Sequence, residues 1–271
     1  MEGSFGRLKG SDRLRKALPM MRSPERIAKI SSIFLTNPPL RKLSPIIVNL
    51  GFFFDRMIEY SIALNDSSEG SEVLLDIGPY FSCFPSYLAS CSYSIALDIN
   101  RDAMNFQKKV SIAMGRNISG GLECIVADAT RLPFRNDVIN KIFVISTLEH
   151  IEKDNLAAEE FGRVLRRNGI CTITGLPFSK SAREPQIKPF FIRRYTKDLI
   201  QTRIITPSLL SLERFFTFGK TLLSLFYAAV PEGWFVFKDL MIGLTLFKLE
   251  EFFLPEDKEG SYAIVKLRKD S

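Results

Sequence analysis

The chain has 271 residues, 46% of them hydrophobic and 25% charged, with 14 Pro and 16 Gly. Those proportions exclude a disordered tail, a collagen-like repeat and a low-complexity scaffold, and the length can bury a core without disulfides. The net charge is +7, and residues 1–45 hold ten Lys and Arg against three acids, so the other 226 residues balance. Such an arm can attract nucleic acid, anionic lipid or an acidic substrate, or simply form a solvated face.

Cys83, Cys91, Cys124 and Cys171 include no C-x-x-C pair, and His150 is the only histidine. Neither a metal site nor a disulfide framework is expected, and four thiols fit a reducing cytosol. Arg and Lys interrupt the first 16 residues, so no secretory signal is expected. The apolar stretch Thr221–Pro231 has 11 residues and is too short to cross about 30 Å of hydrocarbon. The reading is a cytoplasmic protein, with peripheral membrane contact as the furthest departure from that.

Residues 1–66 read as a basic helical extension, broken by Pro38-Pro39 and Pro45, ahead of one domain over 67–271. Five short apolar runs follow: Glu72–Ile77, Ser94–Ile99, Leu122–Ala127, Lys141–Ser146 and Gly169–Leu176. Runs of this kind suit strands covered on both faces, as in a parallel sheet. Between them, Arg101–Met114 spaces Ala103, Phe106, Val110 and Met114 as one helix face. Asp154–Arg167 repeats that pattern, with Asp154 as N-cap and Asn168-Gly169 as its stop. Thr196–Arg203 reads as a helix, and Leu212–Phe218 and Tyr262–Arg268 read as strands. Strand–helix alternation predicts an α/β fold with a doubly wound, Rossmann-like sheet.

In such a sheet ligands bind beyond the carboxyl ends of the strands, near the point where strand order reverses. Those ends present Asp76-Ile77-Gly78, Asp98, Asp128-Ala129 and Ser146-Thr147. Asp98 lies 20 residues after Gly78, the spacing at which an acid can accept hydrogen bonds from a ribose diol.

Together these residues carry a family resemblance. The span from about Val73 to Phe178 resembles a class I S-adenosylmethionine-dependent methyltransferase, type 11-like, of the group that modifies small molecules and lipids. LLDIGPYFS (Leu74–Ser82) resembles its glycine-rich opening motif, ALDIN its ribose-binding acid, and ADATRLPF its adenine-side motif. KIFVISTLEHIE and FGRVLRRNG resemble its fourth strand and the helix that follows. Tyr80 and Ser82 stand where the family usually has glycines, and Asn168 replaces another glycine at the end of the helix. Glycine permits φ > 0, so Tyr80 must keep φ negative or accept strain of about 1–3 kcal/mol.

The resemblance implies a seven-stranded sheet, methyl transfer, and S-adenosyl-L-methionine as cofactor. It assigns Asp76 to the cofactor's ammonium group, Gly78 to close backbone passage, and Tyr80 to a backbone N–H in the same loop. It assigns Asp98 to the ribose hydroxyls, Ile99 to the adenine face, and Asp128 and Ala129 to the adenine edge. His150 is the candidate base if the reaction needs one. No N/D-P-P-Y/F motif follows the fourth strand, which argues against a DNA base as acceptor.

The expected acceptor is a small or lipid-like molecule. Residues 219–260 are an aromatic-rich insertion before the last strand, read as helical and lid-forming, with Trp234 inside it. Arg193 and Arg194 are candidates to clamp an anionic group. The rival reading is an inactive methyltransferase-like binding or scaffold module; a nicotinamide dehydrogenase fits the glycine pattern less well.

Overall fold

The computed structural model describes Glu59, Ala63 and residues 72–80, 82, 84–89, 92–114, 121–179, 192–218, 253–254 and 262–270. Most of the basic extension and of the aromatic insertion, with Trp234, lies outside the described residues.

Among the described residues eight strands form one sheet: β1 (Val73–Ile77), β2 (Tyr93–Asp98), β3 (Leu122–Val126), β4 (Ile139–Ile145), β5 (Leu165–Pro177), β6 (Ser211–Phe218), β7 (Phe253–Leu254) and β8 (Tyr262–Arg268). Their order is β3-β2-β1-β4-β5-β8-β6-β7. The first five are parallel, while β8 runs antiparallel between β5 and β6. Seven strands make the expected mixed, Rossmann-like sheet. The two-residue β7 adds an eighth at the edge, paired with β6.

From residue 72 on, the described helices are α1 (Phe84–Leu88), α2 (Arg101–Met114), α3 (Asp154–Val164), α4 (Lys197–Ile200) and α5 (Thr206–Ser208), the last two joined by a π-helical turn over Gln201–Ile205. Strand periodicity sorts the core between two faces. Leu75, Ile77, Ile95, Leu97, Ile142 and Val144 pack with Ala157, Ala158, Phe161 and Val164 of α3. On the other face Ala96 packs with Ala103, Met104, Phe106 and Val110 of α2, and Phe84 of α1 meets Phe143 edge-on at 5.7 Å. Covered on both sides, β1, β2 and β4 need continuous apolar runs. Edge strand β3 instead mixes exposed and half-buried positions.

Strand bounds shift mostly by one or two residues, and two helix C-terminal ends differ from the sequence reading. Helix α3 stops at Val164 rather than Arg167, and β5 begins at once with Leu165. Pairing captures the chain there: Val138 N–H donates to the Val164 carbonyl at 3.0 Å, and Leu165 pairs with Ile139. Asn168, at φ +60°, turns the chain within the new strand rather than ending the helix. The helix that begins with α4 runs on through the π turn to Ser208, beyond the expected Arg203.

Candidate active site

Strand order reverses between β1 and β4, so the crevice of the sheet opens at their carboxyl ends. Asp76 is buried near the end of β1, in register with Ala96 of β2 and Phe143 of β4. Gly78 follows at φ +69°, its N–H donating to the Leu97 carbonyl at 2.8 Å. A Cβ on Gly78 would stand 2.1 Å from Thr147 Cγ2, so glycine is required both by conformation and by space. Thr147 hydroxyl donates toward the Gly78 and Ile145 carbonyls, both at 3.0 Å, tying the first loop to the end of β4.

Tyr80 adopts φ +47° and its ring is half-exposed. It accepts the left-handed strain that its glycine-like place demands, and its N–H donates to Asp98 Oδ2 at 3.0 Å. Asp98 ends β2 as a buried carboxylate whose Oδ1 also accepts from Asn100 N–H at 2.8 Å. Burial raises its pKa above the ordinary carboxylate value, and the N–H groups of Asn100, Tyr80 and Ile99 oppose that rise. A carboxylate has about four acceptor positions, so capacity remains for a ligand's hydroxyls. Ile99, next in sequence, is 72% exposed, an apolar side chain open at the rim of the crevice.

At the end of β3, Ala127 N–H donates to the Asp98 carbonyl at 3.1 Å, which brings Asp128 and Ala129 to the same edge. Asp128 is exposed and closes a local turn, its Oδ1 accepting from Thr130 N–H and hydroxyl, each at 2.8 Å. Ala129 is buried. The loop beyond is clamped to α3 by an ion pair, with Arg163 Nε and Glu160 Oε1 2.6 Å apart. Glu160 accepts from Leu132 N–H, while Arg163 donates to the carbonyls of Leu132 and Phe134. The Arg163 guanidinium also holds the Glu160 carboxyl below its ordinary pKa, against the opposing effect of burial.

The structure thus places Asp76, Gly78, Tyr80, Asp98, Ile99, Asp128 and Ala129 along one edge. Sequence reasoning missed Gln107. This buried side chain of α2 donates to the Tyr80 carbonyl at 2.9 Å and the Ser82 carbonyl at 2.7 Å, bracing the strained loop from beneath. Its signal was a polar residue one turn beyond Ala103, on the apolar face of its helix.

The surroundings of two other candidates, His150 and Arg193, are also defined. His150 ends a 3₁₀ turn after β4 and is exposed, its Nε2 3.8 Å from Glu149 Oε1. Arg193 is not available as an anion clamp: it pairs with buried Asp154 Oδ1 at 2.6 Å and donates to the Glu152 carbonyl at 2.7 Å. Arg203 shares that carboxylate, and Tyr195 hydroxyl donates to its Oδ2 at 2.7 Å. Asp154 therefore knots the start of α3 to the segment entering α4. Arg194 is exposed.

Residues 75–173 match the family model of a methyltransferase domain. Among solved structures, the chain is similar to geranyl diphosphate methyltransferase in complex with GPP and sinefungin (TM-score 0.57, 13% identity, 80% of this chain and 82% of that one). It is equally similar in fold to the [4+2]-cyclase SpnF (TM-score 0.57, 16% identity, 80% of each chain). A SAM-dependent methyltransferase from Aquifex aeolicus aligns over 88% of this chain and 97% of its own at TM-score 0.52 and 16% identity. No curated protein matches the sequence. Residues 75–173 thus resemble a methyltransferase domain, and the fold is shared with S-adenosylmethionine-dependent methyltransferases, the class whose cofactor is S-adenosyl-L-methionine.

Proposed function

We propose that this protein transfers a methyl group from S-adenosyl-L-methionine to a small-molecule or lipid-like acceptor. The observation that carries the reading is Asp98: a buried carboxylate at the end of β2, already oriented by backbone N–H groups and flanked by exposed Ile99. Asp98 would hold the ribose hydroxyls and Ile99 would cover one adenine face. Asp128 and Ala129 would meet the adenine edge, while Asp76, Gly78 and the Tyr80 backbone would frame the methionine end. The bound cofactor supplies an electrophilic methyl on a sulfonium, so the chain's own work is positioning and exclusion of water. His150 would take a proton only where the acceptor has one to lose.

The acceptor class rests on composition and on one neighbour. Trp234 and the Phe-rich stretch around it can bury apolar area at about 25 cal/mol per Å². Arg194 can face an anionic group, and geranyl diphosphate is an apolar chain bearing one. The basic residues of 1–45 would favour contact with anionic lipid. A second reading, a methyltransferase-like module without transfer activity, is favoured by Tyr80 at φ +47° in the cofactor loop. The cyclase of the same fold also separates fold from reaction.

Calorimetric titration with S-adenosylhomocysteine tests the proposal. Wild type should bind, and Asp98→Ala should weaken binding roughly 10–100-fold, the equivalent of one charge-assisted hydrogen bond. No binding by wild type would leave the second reading standing.

A further inference from the structure

Glu59 belongs to the N-terminal segment, yet its carboxylate is buried at the carboxyl end of β4, where Oε1 accepts from Ser146 hydroxyl at 2.9 Å. Ser146 immediately follows β4 and precedes Thr147, whose hydroxyl holds the Gly78 carbonyl. Three features converge on that hydroxyl. Ser146 stands at φ +44°, a region that L side chains rarely adopt. Gly175 of β5, at φ +74°, leaves the space: a Cβ there would lie 2.0 Å from Ser146 Oγ. Glu59 supplies the third, reaching across 87 residues of sequence. Strain maintained by surrounding structure is a reason to look for function at the strained residue.

A serine hydroxyl has one proton and two lone pairs. With that proton directed to Glu59, Ser146 Oγ can offer only lone pairs to anything else that approaches, and Ser146 remains half-buried rather than sealed. We infer that Glu59 is a positioning residue of the methyl-transfer site: acting through Ser146, it fixes an acceptor of positive charge at the end of β4 and makes the site favour the sulfonium cofactor over its neutral thioether product. The inference rests on the cofactor reading above. It assigns the N-terminal segment a part in the site, because Glu59 comes from outside the span that matches the family model.

The test measures the Kd of S-adenosylmethionine and of S-adenosylhomocysteine for the full chain by calorimetry. The two ligands differ by the charged methyl, so the ratio of their affinities isolates recognition of that charge. Ser146→Gly removes the hydroxyl while suiting the left-handed backbone. It should leave homocysteine-ligand affinity within about twofold and lower the preference for the cation about tenfold. Glu59→Ala should act in the same direction. Glu59→Gln, whose carbonyl can still accept the serine proton, should fall between Glu59→Ala and wild type. Thermal unfolding of each variant confirms a folded chain, and Ser146→Gly carries the test alone if Glu59→Ala does not fold. An unchanged ratio in variants that still bind S-adenosylhomocysteine overturns the role of Glu59 and leaves the cofactor reading intact. Failure of wild type to bind either ligand overturns both.

Discussion

At Asp98, burial and the ligand recognition proposed for it oppose each other. Loss of solvent raises its folded-state pKa above the ordinary value of about 4. The folded chain then holds that proton more tightly than the unfolded one, so this group's contribution to stability is greatest below the unfolded pKa. It is lost as pH rises through the folded value. On the proposed assignment ligand binding runs the other way, because ribose hydroxyls would need the carboxylate. S-adenosylhomocysteine affinity should therefore fall as pH drops through a midpoint above 4, while Asp98→Asn binds weakly with no such transition. Titration across mildly acidic pH reads this directly, and a wild-type affinity that stays flat into the ordinary carboxylate range would remove Asp98 as the pH-sensitive group. The strand-end acids were legible in the sequence because each closes an apolar run. Glu59 was not, since its partner lies 87 residues away, and Gln107 left only a polar break in an apolar helix face, which does not name a partner 27 residues away. Tyr80 was legible as a departure, but its conformation depends on that same remote support from Gln107.

The loops that follow β1 and β3 are braced by side chains of helices α2 and α3. Helix α3 does most of this: Glu160 and Arg163 fasten the loop after β3, and Asp154 fastens the segment leading to α4. Its amphipathic pattern was readable, whereas its end was not. Asn168-Gly169 looked like a helix stop, but pairing of Leu165 with Ile139 ends the helix earlier, a tertiary decision that local propensity does not encode. The Asp154 knot also changes what Arg193 is for. Removing Asp154 would leave Arg193, Arg203 and buried Tyr195 hydroxyl without their shared acceptor. Breaking a buried pair from one side costs about 3–5 kcal/mol. Asp154→Ala should accordingly lower unfolding free energy by about that amount in denaturant titrations. A loss under about 1 kcal/mol would show the knot to be solvated and replaceable.

At the scale of the whole molecule, sheet order determines which residues can meet. Because β1 and β4 are neighbours and β2 and β3 lie beyond β1, acids from sequence-distant strand ends gather at one edge. The antiparallel β8 lies between β5 and β6, so residues 219–252 and 255–261 are part of the connection between two adjacent strands of the same sheet. Charge distribution adds a second asymmetry: all of the net +7 is contributed by residues 1–45, the same N-terminal segment that continues to Glu59 at the end of β4. Attraction between a cluster of basic residues and an anionic lipid surface is worth about 1 kcal/mol per Lys or Arg near the surface, and it decays within about 8 Å at physiological salt. The full chain should therefore co-sediment with vesicles containing an anionic phospholipid at low ionic strength. It should be released as salt rises and ignore vesicles of neutral lipid under both conditions. Binding to neutral vesicles that resists salt would assign the contact to apolar insertion, with the aromatic stretch around Trp234 as its source. No binding to either vesicle would confine the acceptor to molecules that come to the enzyme in solution.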